Sequence, residues 1–62
     1  MEFTVSTLDS KDKAEELKKT ILTSEPNADV DIDLDSKKVK IKSEASTETF
    51  KQIIVAAGHK VS

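Results

Sequence analysis

Three groups of side chains in this 62-residue chain have types and spacing that chemistry can use. His59 is the sole imidazole, a group that can bind a metal or move a proton near neutral pH. The segment Leu8-Asp9-Ser10-Lys11-Asp12-Lys13 gathers two carboxylates, two ammonium groups and a hydroxyl. Asp29, Asp31, Asp33 and Asp35 alternate with Val30, Ile32 and Leu34. A calcium loop starting at Asp29 needs Gly at its sixth place and Glu at its twelfth. Leu34 and Lys40 stand there, so these aspartates read as the wet face of a strand. A nucleophilic Ser10 needs a base and an oxyanion site. His59 could approach it, but no Asp is placed to orient the ring, and a domain this small has no room for a deep pocket. Ser10 therefore reads as a helix N-cap, and the chain is expected not to be an enzyme.

The chain contains no cysteine, so His59 has no soft co-ligand. As a metal ligand it is a weak candidate, able to hold Cu(II), Zn(II) or Ni(II) loosely with oxygen from Asp9 or Asp12 or with the chain's own amine. Otherwise no cofactor is expected. Lys13, in the first turn of a helix, is disfavoured there by the macrodipole and offset by Asp9 and Asp12. Its side chain reads as solvent-exposed, or as a cation whose charge keeps the loop ordered.

The elements that position these groups follow from changes of period. Residues 2–7 alternate with Phe3 and Val5 inward, a short strand. Asp9 or Ser10 caps a helix over about 11–23 with Ala14, Leu17 and Ile21 as its apolar stripe and a Glu15–Lys19 pair on its surface. Pro26 biases Glu25 away from helical angles and closes it. Residues 28–34 alternate again, residues 35–38 turn, and Val39 and Ile41 resume the inward face. Pairing Leu34 with Val39 sets Ile32 opposite Ile41, Asp33 opposite Lys40 and Asp31 opposite Lys42. Ser46 or Thr47 caps a second helix to about Ala57, with Phe50, Ile53, Ile54 and Ala57 inward and Gly58 as its stop. His59-Lys60-Val61 leaves room for a very short last strand.

The order βαββαβ predicts an α+β, ferredoxin-like two-layer sandwich, with a four-stranded antiparallel sheet in the order 4-1-3-2 and two helices on one face. Residues 1–62 make one domain. Its core is expected from Phe3, Val5, Leu8, Ala14, Leu17, Ile21, Val30, Ile32, Leu34, Val39, Ile41, Phe50, Ile53, Ile54, Ala57 and Val61. In this topology His59 lies near the end of the first strand and the segment Leu8–Lys13.

Composition narrows the class further. Apolar and charged residues are 35% each, with one Gly and one Pro, which is globular rather than disordered. A net charge of −2 and only Phe3 and Phe50 as aromatics argue against nucleic acid, which needs clustered cations and stacking rings. No apolar run is long enough for a membrane span. The N-terminal residues lack the features of a secretion signal, so a cytoplasmic protein, monomeric or weakly dimeric, is expected.

Three stretches carry a resemblance that covers essentially the whole chain. Val5-Ser6-Thr7-Leu8 leads from a strand into a loop. Residues 30–41 form a hairpin with a Ser36-Lys37-Lys38 turn, and Ala57-Gly58-His59-Lys60-Val61 closes the chain. In these the sequence resembles the heavy-metal-associated domain family, and within it the small cyanobacterial copper metallochaperones. Most bacterial relatives are expected to carry Tyr at the position of His59, and in cyanobacterial members the corresponding His can ligate copper. The family's Met-x-Cys-x-x-Cys loop appears here as Leu8-Asp9-Ser10-Lys11-Asp12-Lys13, so Ser10 and Lys13 occupy the cysteine positions. Neither is expected to ligate, because Cu(I) selects soft thiolate or thioether donors and a protonated ammonium coordinates nothing. The resemblance implies a non-enzymatic interaction module with little or no Cu(I) binding. It also implies a partner, the cytosolic N-terminal domain of a copper-transporting P-type ATPase or a like domain, met through Leu8, Asp9, Lys11, Asp12, Lys13 and Lys60. The alternative is a weak or altered metal binder built on His59 with oxygen ligands.

Overall fold

The computed structural model describes residues 1–61. Its elements are β1 (Glu2–Thr4), α1 (Lys11–Ser24), β2 (Asp29–Asp33), β3 (Lys38–Lys42) and α2 (Thr47–Ala56). Both helices begin on a serine. Ser10 Oγ accepts the Lys13 N–H at 3.2 Å, and Ser46 Oγ accepts the Thr49 N–H at 3.2 Å, each satisfying a donor that a helix start would leave unpaired. At its other end α1 stops at Glu25, whose N–H still reaches the Ile21 carbonyl at 2.8 Å before Pro26 diverts the chain.

The strands form one antiparallel sheet in the order β1-β3-β2. Its inner face, with Phe3, Val5, Val30, Val39 and Ile41, meets Ala14, Leu17 and Ile21 of α1 and Phe50 and Ile54 of α2 in a single core. Burial of these aliphatic and aromatic groups drives the collapse of a chain that has no covalent staple. Ile32, Leu34, Ile53 and Val61 pack at the rim of that core. Ala57 departs from the expected core: it is exposed, because α2 ends at Ala56 and Ala57 is already the cap.

Among the described residues the sheet has three strands where four were expected. In place of the fourth strand the described residues show one antiparallel bridge, Val5 to Val61. The bridge lies on the β1 side, where the topology places the last strand. β1 is likewise shorter than 2–7, ending at Thr4, with Val5 joined to the sheet by its N–H bond to the Lys37 carbonyl and to the last segment by that bridge.

The hairpin register differs by two residues from the expectation. Asp33 pairs with Lys38, Ile32 with Val39, Asp31 with Lys40, Val30 with Ile41 and Asp29 with Lys42. A slip of two keeps every side chain on its face, so alternation alone cannot choose between the two registers. The turn chooses. Asp33 Oδ1 accepts the Asp35 N–H at 3.0 Å, and Lys37 takes a left-handed φ of 57°, which makes residues 34–37 the loop and draws Leu34 out of the strand. The surface pair expected between Glu15 and Lys19 does not close to ion-pair distance.

Phe50 is fully buried. Phe50→Ala is expected to cost about 3–5 kcal/mol, read from the shift of a urea unfolding curve, with the slope of that curve unchanged.

Candidate functional site

α2 ends in a reversal that sets the position of His59. Gly58 has φ of +90° and donates to the Val55 carbonyl at 3.0 Å, while His59 N–H donates to the Ile54 carbonyl at 3.2 Å. This is the paired bonding of a Schellman stop, which needs a left-handed residue at Gly58. A Cβ there would meet nothing within 4 Å, so backbone conformation alone calls for glycine.

From there the half-buried His59 turns to the end of the first strand. Its Nδ1 lies 2.7 Å from Thr7 Oγ1, and the same oxygen accepts the Lys60 N–H at 3.2 Å. Thr7 escaped the sequence reading. The signal for it was the antiparallel register, because continuing the Val5–Val61 bridge by two residues sets Thr7 opposite His59.

On the other side of the loop, Leu8 N–H donates to the Val5 carbonyl at 3.1 Å and the side chain of Leu8 is fully buried. Leu8 is therefore a core residue and leaves the expected docking surface. Asp9, Ser10, Lys11, Asp12, Lys13 and Lys60 are exposed. The Lys13 ammonium folds back onto Asp9 Oδ1 at 3.1 Å. That hydrogen bond, with the ammonium's charge added, holds the Asp9 carboxyl below its ordinary value of 3.8. Lys13, His59, Thr7 and Gly58 line one open groove between α1 and the end of α2. The structure thus brings Lys13 and His59 to a common groove, with Ser10 outside its lining.

The donor set does not fit Cu(I). The Ser10 oxygen is engaged as a cap, the Lys13 ammonium has no lone pair to give, and the His59 imidazole has no thiolate or thioether beside it. Among the described residues no three His, Cys, Asp or Glu side chains cluster closely enough to hold a metal ion.

A ferredoxin-like sandwich whose β1–α1 loop meets the turn after α2 defines the class, a small two-layer α+β domain. Solved structures bear this out. A chain from work on crosstalk between Cu(I) and Zn(II) homeostasis is 37% identical, with TM-score 0.94, over 100% of this chain and 98% of its own. The copper chaperone Atx1 from Synechocystis, in a trimeric form, is 34% identical with TM-score 0.95, over 100% and 98%. The solution structure of the cyanobacterial copper metallochaperone ScAtx1 is 35% identical with TM-score 0.82, over 100% and 97%. No family model matches the sequence, and no curated protein matches it significantly. The chain belongs to the heavy-metal-associated domain family, in its Atx1-like branch, and carries no cysteine.

Folding favours the ionised form of Asp9, so its contribution to stability is present above the ordinary carboxylate value and is lost as pH falls through the folded-state value. Lys13→Met is expected to return the Asp9 titration toward 3.8. Following the side-chain carboxyl carbon by NMR from neutral to acid pH checks this; an unmoved midpoint would show that Lys13 is not the cause.

Proposed function

We propose that this chain is a chaperone-fold interaction module, non-enzymatic and cytoplasmic, that binds little or no Cu(I) and docks on the cytosolic N-terminal domain of a copper-transporting P-type ATPase or a like domain. The observation that carries this reading is the Asp9–Lys13 closure at 3.1 Å beside the Ser10 cap. An internal cation and a capping hydroxyl stand at the family's two cysteine positions, and the loop is held without cargo. Its exposed rim mixes Lys11, Lys13 and Lys60 with Asp9 and Asp12, the kind of surface that steers encounter and selects partners more than it holds them. Described helices include none long and apolar enough to cross a membrane.

A second reading has its own observation. Thr7 Oγ1 sits on His59 Nδ1 at 2.7 Å, which orients the ring and leaves Nε2 as the nitrogen for a weakly held Cu(II), Zn(II) or Ni(II) with oxygen ligands. Titrating each metal while following His59 and the loop amides separates the two readings: shifts confined to residues 8–13 and 58–60 at micromolar metal favour the second.

If only the ligands are missing, Ser10→Cys with Lys13→Cys is expected to create a two-thiolate Cu(I) site, helped by a helix N-terminus that lowers thiolate pKa. His59→Ala is then expected to loosen copper in the double variant and to change little in the parent. A double variant that binds Cu(I) no more tightly than the parent would show that the loop geometry has diverged as well. For docking, the labelled chain mixed with such an ATPase domain is expected to shift at Asp9, Lys11, Lys13 and Lys60 and to loosen with salt, since exposed charges are screened beyond about 8–10 Å. Shifts that miss these residues or ignore salt would remove the docking reading.

A further inference from the structure

The outer edge of β2 is open, and its backbone directions follow from the register. β3 lies between β1 and β2, and in antiparallel sheets successive residues aim their backbone groups to opposite sides. Ile41 N–H donates to the Met1 carbonyl at 2.8 Å, and the Lys37 carbonyl accepts from Val5 at 2.8 Å. Odd-numbered residues of β3 therefore face β1, while Lys38, Lys40 and Lys42 face Asp33, Asp31 and Asp29. That leaves the N–H and C=O of Val30 and Ile32 aimed away from the sheet. Beside this edge a shallow groove runs between α1 and β2, with Ala14, Ile32 and Leu34 as its apolar lining.

Charge selects the occupant. On the wet face, exposed Asp29, Asp31 and Asp33 occupy the edge strand, lysines the central strand and Glu2 the far strand. Lys38 and Lys40 lean toward Glu2, at 3.6 and 3.9 Å. Among the described residues no ammonium lies within ion-pair distance of the three edge aspartates. A second copy adding its own β2 would set aspartates against aspartates, which destabilises a strand pair, and a second copy's β1 would bring Glu2. A strand with Lys or Arg at alternate positions continues the acid–base alternation and turns its intervening aliphatic side chains into the groove. The helical rim of the groove mixes Lys11 and Lys18 with Glu15, so the aspartates set the preference.

We propose that the β2 edge is a docking site for an extended basic segment of a partner protein, alternating Lys or Arg with aliphatic residues and added to the sheet as a further strand. Apart from Lys11 at the groove rim it uses neither the Asp9–Lys13 loop nor residues 58–60, so it stands or falls separately from the function proposed above.

The test uses two synthetic peptides against the isotope-labelled chain: one copying the β3 pattern Lys-Val-Lys-Ile-Lys, the other with each Lys replaced by Glu. The basic peptide is expected to bind about tenfold more tightly, with shifts centred on residues 29–33 and slowed amide exchange at Val30 and Ile32. Asp29→Lys with Asp31→Lys, both at exposed positions, is expected to reverse the preference, with unchanged Phe50 and Ile54 signals reporting an intact core. Equal affinity for the two peptides, no binding of the basic one at millimolar concentration, or shifts centred on residues 8–13 and 58–60 would overturn the proposal.

Discussion

The backbone of Val5 joins three parts of the molecule at once. Its N–H donates to the Lys37 carbonyl in the β2–β3 turn, its carbonyl accepts the Leu8 N–H at the loop entrance, and it bridges Val61 near the other end of the chain. Its side chain is fully buried. Sheet edge, loop and C-terminal segment are therefore fixed relative to one another by a single residue whose polar groups are all spent. The Thr7–His59 contact, two residues on, depends on that register: a slip of one at Val5 would turn Thr7 to the opposite face.

Around this junction the β1–α1 loop is held by interactions of the chain's own. Ser10 satisfies a helix donor, and the Lys13–Asp9 pair neutralises charge on the loop surface. Both partners of that pair are about half exposed or more, at 51% and 62%, so it contributes little to global stability and acts chiefly on local loop conformation. Order in the loop comes mainly from below, where Leu8 is drawn into the core beside Leu17 and Phe50. Loop order and core packing thus share one anchor, the side chain of Leu8.

Much of this was legible in the sequence because the relevant signals are local. Ser10 and Ser46 sit just before apolar stripes of helical spacing, Gly58 follows the last one, and Val30 and Ile32 alternate with acids, so elements, caps and most of the core follow from period and punctuation. What was not legible depends on the geometry of one turn and on alignment at longer range. The hairpin slip of two residues hinges on whether Asp33 or Leu34 begins the turn, a choice made by a side-chain bond to Asp35 and a left-handed Lys37. In the site, His59 was readable as a lone imidazole near the loop. Thr7 was not, because its role exists only once two strands distant in sequence are aligned.

The β2–β3 turn carries a burden that its place on the surface conceals. Besides accepting the Val5 N–H at its carbonyl, Lys37 reaches the Ser6 carbonyl with its ammonium at 3.4 Å. A hairpin tip is ordinarily where a domain accepts insertions, peptide tags or relocated termini. Here such a graft between Ser36 and Lys38 would disturb the residues that feed the β1–α1 loop. The segment between α1 and β2, around Pro26 and Asn27, is exposed and makes no such connection. It is the better place to splice foreign sequence into this scaffold.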